Sequence, residues 1–95
     1  MAGKVRPALV VSVGFGDADH ALVTIVSHTT GIRGSPFEIP AGAPFLKPGA
    51  FLVQGVSTYP QVRAIRKLGM HKPEQFDLVF AGLLRWLGQD LTARL

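Results

Sequence analysis

A mainly β fold with one α-helix is what this chain of 95 residues predicts: a small, strongly bent antiparallel sheet or partly open barrel, covered on one side. Two observations carry the prediction. Short runs rich in Val, Ile, Leu and Thr recur between breaks of Gly, Pro and Asp, as strands joined by turns do. Only one stretch, from Phe76 to Leu87, repeats apolar residues at three- and four-residue spacing, and it comes last.

Arg6-Pro7-Ala8-Leu9-Val10-Val11 opens the architecture. Pro has no N–H and suits the first residue of a strand, so a strand is expected from Ala8 to Val13. The residue before a Pro is pushed to an extended conformation, which holds Arg6 at the mouth of that strand. Gly14 to Asp19 reads as a hairpin connection. Gly14-x-Gly16 invites a phosphate-loop reading, but no helix follows and the third Gly is absent. His20 to Thr29 is the second strand, so continuously apolar over Ala21–Val26 that burial on both faces is expected. It ends in the polar cluster Ser27-His28-Thr29-Thr30, and strand ends are where such folds place working groups.

Gly31 to Ser35 is a loop centred on Arg33. Pro36 to Pro40 reads as a short strand, and Ala41 to Pro48 as irregular. Gly49 to Thr58 is expected as one further strand, with Phe51, Val53 and Val56 inward and Gly55 marking a bulge or bend. Tyr59-Pro60 starts a turn, and Gln61 to Lys67 brings Arg63, Arg66 and Lys67 together on a helical turn. Pro73 then opens the helix, Glu74 complements its positive end and Gly88 terminates it. Trp86 reads as a packing residue. There is no internal repeat or linker, so residues 1–95 form a single domain.

Ten Lys and Arg against six Asp and Glu leave a net charge of +4, which favours an anionic partner, nucleic acid first. The absence of Cys excludes disulfides, thiolate nucleophiles and Cys-based zinc sites. Lys4, Arg6 and the following apolar run faintly resemble a signal peptide, but Pro7, Gly14 and Gly16 interrupt it. A cytoplasmic location is expected, and no run is long enough to span a bilayer. His20, His28 and His71 are scattered, no metal-ligand spacing appears, and no paired carboxylates stand out. The remaining site candidate is a cation with a hydroxyl, Arg6 with Ser27 and its neighbours; a solvated Arg beside an edge Pro is the plain alternative.

Gly3-Lys4-Val5-Arg6-Pro7-Ala8-Leu9-Val10-Val11-Ser12 resembles the second-strand motif of the PemK/MazF toxin family. Leu22 to His28, Phe37-Glu38-Ile39-Pro40, Phe51 to Thr58, and Arg66-Lys67-Leu68-Gly69 with Trp86-Leu87-Gly88 are similar to its later motifs, in the same order. The resemblance implies an SH3-like, partly open barrel that forms a homodimer. It implies a sequence-preferring endoribonuclease of single-stranded RNA, inhibited by a cognate antitoxin and using no cofactor. Members usually begin with a further strand and a loop ahead of Arg-Pro. Only Met1–Val5 precedes Arg6 here, so an open sheet edge is expected beside the Arg6 strand.

Carried over by position, Arg6 matches the family's catalytic Arg and Ser27 the place of its catalytic Thr. The chemistry agrees: a 2′-hydroxyl attacks the adjacent phosphorus, and a fixed guanidinium stabilises the charge that builds on the oxygens. Metal-independent cleavage is the expectation. Arg33, His28, Thr29 and Arg63 are the candidate RNA contacts, although strand alternation puts His28 on the face opposite Ser27. A catalytically inactive barrel of the same family that binds RNA or an antitoxin, and a plain interaction domain, stay open as alternatives.

Overall fold

A computed structural model of the chain describes residues 6–63, 69 and 72–88. Five strands and one helix follow in order: β1 (Ala8–Val10), β2 (Leu22–Thr29), β3 (Glu38–Ala41), β4 (Gly49–Leu52), β5 (Ser57–Pro60) and α1 (Pro73–Trp86). All strand pairs are antiparallel, in the order β1-β2-β4-β3 with β5 also on β2. The result is the expected bent open sheet with a C-terminal helix.

β1 is shorter than its composition suggests. The Val11 N–H still donates to the Thr24 carbonyl at 2.9 Å, but the Thr24 N–H donates to Ser12 Oγ at 3.0 Å. A side chain thus takes the place of the next backbone acceptor and the ladder stops. The connection that follows is closed by Asp19, whose carboxylate accepts the Gly16 N–H at 2.9 Å.

The single strand expected over Gly49–Thr58 is two strands. Thr29 faces Ala50, so an unbroken register would set Gln54 opposite Ile25; Ser57 stands there instead. The surplus residues form a 3-10 turn, Val53–Gly55, closed by a Val56 N–H to Val53 carbonyl bond of 3.2 Å. Val53 is wholly buried and its N–H donates to the Phe37 carbonyl at 3.1 Å. The turn lets one edge of β2 carry β4 at its end and β5 at its start. Tyr59 and Pro60, expected in a turn, close β5; the turn Gln61–Arg63 follows.

β2 is not buried on both faces. Val26 and His28 point inward, whereas Val23, Ile25, Ser27 and Thr29 are half-buried on the other face and Leu22 is exposed. The core is Leu9, Val26, Ile39, Phe51 and Val53 from the sheet with Val79 and Leu83 from α1. Full burial of such side chains stabilises by about 1.5–3 kcal/mol each. Gly82 lets the helix approach closely, because a Cβ there would stand 2.7 Å from Ile39 Cδ1. Phe76 and Phe80 are partly covered and in ring contact at 4.7 Å, while Leu84 and Leu87 of the expected stripe face outward. Trp86 packs edge-on against Phe37 with ring centres 5.3 Å apart. Gly88, at a left-handed φ of 83°, ends the helix as expected.

The two outer edges differ. On β3, Pro40 has no N–H, and Gln75 of α1 covers the edge by donating Nε2 to the Pro40 carbonyl at 2.8 Å. The edge of β1 has no such cover among the described residues, and Val10 on it is 49% exposed.

Candidate active site

Register decides what the open face carries. Ala8 pairs with Ser27, and Leu9 with Val26. The pairing reaches further, since the His28 N–H donates to the Pro7 carbonyl at 2.9 Å. Continued by one more residue, the same register sets Arg6 opposite Thr29. Residues two apart on a strand share a face. Arg6, Ser27 and Thr29 therefore stand on one face of the sheet, the face turned away from α1. Arg6 is exposed and the two hydroxyl residues are half-buried.

Beyond Thr29 the chain enters the loop Gly31–Ser35, and Glu38 at the start of β3 holds it in shape. Glu38 Oε1 accepts the N–H of Ser35 at 2.7 Å and of Arg33 at 3.2 Å; Oε2 accepts the Arg33 N–H at 2.9 Å. Ser35 Oγ accepts the Phe37 N–H at 3.1 Å, and Thr29 Oγ1 accepts the Gly31 N–H at 3.1 Å. Gly34 adopts a φ of 85°, which only Gly takes without strain. The Arg33 N–H foremost, then the Ser35 and Gly34 N–H groups and the Arg33 charge, hold the Glu38 carboxyl below its ordinary 4.5 against the opposing effect of burial.

Between this loop and the end of β4 lies a cleft of about 420 Å³, lined chiefly by Thr29, Arg33, Ser35, Glu38, Leu52 and Gln54. The open face thus offers cations at its rim, hydroxyls beside them and a structured recess. Among the described residues, no three His, Asp or Glu side chains converge as a metal site would require.

No protein-family model matches the chain, and no curated protein matches it. Solved structures do. A structure of the MazE–MazF complex from Deinococcus radiodurans superposes with a TM-score of 0.76 at 24% identity, over 90% of this chain and 87% of the other. A second crystal form of that complex gives 0.75 at 25% identity, over 87% and 82%. An endoribonuclease in complex with its cognate antitoxin, from a mycobacterial species, gives 0.71 at 23% identity, over 87% and 78%. The chain has the MazF-type fold.

Within this MazF-type frame the expected site residues separate. Arg6 and Ser27 do share a face, but Thr29, expected only as an RNA contact, is the hydroxyl residue set directly across from Arg6. Arg33 lines the cleft on the same side. His28, also expected to touch RNA, lies on the other face: it is 5% exposed, and its ring meets Phe51 edge-on with centres 5.7 Å apart. Alternation along β2 forces that placement once Val26 is in the core. The backbone of Arg63 belongs to the turn after β5, while its side chain, with Arg66 and Lys67, lies outside the described residues.

Two residues that line the cleft were not singled out in the sequence. Glu38 had a signal: Ser35-Pro36-Phe37-Glu38 has the spacing in which an acidic side chain reaches back to the N–H three residues earlier. Gln54 had none, because its position depends on the 3-10 turn. Among the described residues no helix is long and apolar enough to cross a membrane.

Proposed function

We propose that this chain is an endoribonuclease toxin of the MazF/PemK type, cleaving single-stranded RNA at preferred short sequences without a metal ion. In this reading it works in the cytoplasm as a homodimer and is silenced by a cognate antitoxin. The observation that carries the proposal is the union of Arg6, Ser27 and Thr29 on the sheet face opposite the helix, beside the Arg33 cleft. The MazF-type fold supports it independently. The open β1 edge with exposed Val10 supports self-association, for which a two-fold dimer is the ordinary arrangement.

The chemistry follows from the residues. The ribose 2′-hydroxyl attacks the adjacent phosphorus, the bond to the 5′-oxygen breaks, and a cyclic phosphate and a 5′-hydroxyl result. Arg6 presents two N–H groups to the phosphate oxygens as their charge grows, the role a preorganised donor plays best. Thr29 Oγ1 already accepts the Gly31 N–H, so its own hydroxyl proton is free to be donated to the same phosphate. Ser27 stands one pair further along β2 as a second donor. Arg33 at the rim holds a neighbouring phosphate.

The test is incubation of the purified protein with mixed-sequence RNA, with and without a chelator. Cleavage should persist in the chelator and leave 5′-hydroxyl ends. Arg6→Ala should lower the rate by roughly 10²–10³, and Arg6→Lys should fail as well, because an ammonium cannot reproduce the guanidinium fork. Thr29→Ala should cost about tenfold, the worth of one hydrogen bond, and more than Ser27→Ala. Cleavage that survives Arg6→Ala would overturn the assignment.

A further inference from the structure

The cleft between the Arg33 loop and Gln54 has a composition that the cleavage chemistry alone does not require. Its volume of about 420 Å³ falls within the range of small-molecule sites, roughly 300–1,000 Å³. Leu52 supplies an apolar patch against which a flat ring can lie. One cation, Arg33, and one carboxylate, Glu38, line it together. That carboxylate stays ionised, since its N–H donors hold it below the ordinary carboxylate range. With one charge of each sign on its lining, the recess as a whole suits a neutral group.

Hydrogen-bond capacity narrows the ligand further. An ionised carboxylate has about four acceptor sites. On Glu38 the Ser35 N–H takes one on Oε1 and the Arg33 N–H is shared between the two oxygens, so Oε1 is committed and acceptor capacity remains on Oε2. Across the cleft, Gln54 is exposed, and its amide makes no hydrogen bond among the described residues. Its backbone is nevertheless fixed, because it sits in the 3-10 turn anchored by the buried Val53. A carboxamide on a fixed backbone offers a donor and an acceptor together, the pair that reads a base edge.

We propose that this cleft is a base-reading subsite that accepts a nucleobase carrying an amino group and rejects uracil, with Gln54 as the residue that reads it. The proposal rests on the RNA-cleaving reading above. Adenine, cytosine and guanine each offer an exocyclic amino group to the spare Glu38 acceptor and a neighbouring ring or carbonyl group to Gln54. The single Watson–Crick-edge donor of uracil is flanked by two carbonyl oxygens, which would face the carboxylate. Glu38 shapes the subsite; Gln54 is uncommitted among the described residues and free to discriminate.

The experiment uses short 2′-fluoro oligonucleotides, which lack the attacking hydroxyl and so report binding apart from cleavage. Affinity is measured by fluorescence anisotropy for an all-uridine strand and for the same strand with one central adenine, cytosine or guanine. Each amino-bearing base should tighten binding about tenfold, the usual worth of a good base-edge contact. Gln54→Leu should erase that gain and leave the all-uridine affinity and the melting temperature unchanged. Equal affinity for all four strands, or a preference that survives Gln54→Leu, would overturn the subsite while the RNA-cleaving reading stands. No binding to any strand at low salt would overturn both.

Discussion

The two faces of the sheet are built on opposite rules. The face under α1 is apolar and close-packed: Val26, Phe51 and Val53 are almost wholly buried beneath Val79 and Leu83, and Gly82 is small so that the helix can settle. Among the described residues no helix covers the other face. It carries Arg6, Ser27, Thr29, Arg33, Glu38 and Gln54, and its loop is shaped by the hydrogen bonds of Thr29 and Glu38 rather than by packing. The difference teaches where robustness and chemistry reside in so small a domain. Stability is concentrated on one side of the strands, which leaves the other side free to be polar, charged and concave.

The sharpest way to break this division is to remove a side chain from the packed face. Phe51→Ala should destabilise by about 3–5 kcal/mol, since it deletes a buried ring from the centre of the core. A domain of this size has little more than that to lose. The denaturant midpoint should fall steeply with the slope preserved. A small shift would mean that the helix-covered face is not the seat of stability.

The packed face was also the more legible one. Apolar spacing in α1, the terminating Gly88 and the inward Phe51 and Val53 are all visible as pattern, because burial selects residue type at fixed intervals. The open face is different. Ser27 and Thr29 are chemically alike and two residues apart, so only the β1–β2 register distinguishes them with respect to Arg6. The break in Gly49–Thr58 was hidden for a related reason. Leu52-Val53-Gln54-Gly55-Val56 has the composition of a strand, and the turn within it depends on burying Val53 and on a bond to Phe37 from a distant part of the chain. Both failures concern long-range pairing, which no local pattern encodes.

A subtler effect is expected from pH, and it bears on the open face alone. The Glu38 carboxyl is held below its ordinary 4.5 in the folded chain. A depressed carboxylate adds stability above the unfolded value and loses it as pH falls through the folded one. The Gly31–Ser35 loop should therefore be fully ordered at neutral pH and loosen only below about pH 4.5, while the core stays folded. The Arg33 and Ser35 amide resonances should shift, and their hydrogen exchange should quicken relative to that of other amides at the same pH, in that window. Glu38→Gln should show loosened amides already at neutral pH. Protection that is the same at neutral and acid pH would show that the carboxylate does not organise the loop.

The smallest expected effect is the most discriminating, because His28 sits at the boundary between the faces in sequence but on the packed side in space. Its Nε2 is buried with no hydrogen-bond partner among the described residues, and Gly49 lies so close that a Cβ there would come within 2.9 Å of that atom. An unsatisfied buried polar atom costs about 1–3 kcal/mol. Its edge-on contact with Phe51 returns about 0.5–1.5 kcal/mol. His28→Leu removes both in a side chain of similar size, so the net change in stability should be near zero or slightly favourable. RNA affinity and cleavage should be unchanged, since no part of the imidazole reaches the open face. A variant that keeps its stability but loses RNA binding would show that β2 presents His28 to the ligand, and the division between the two faces would fail at its centre.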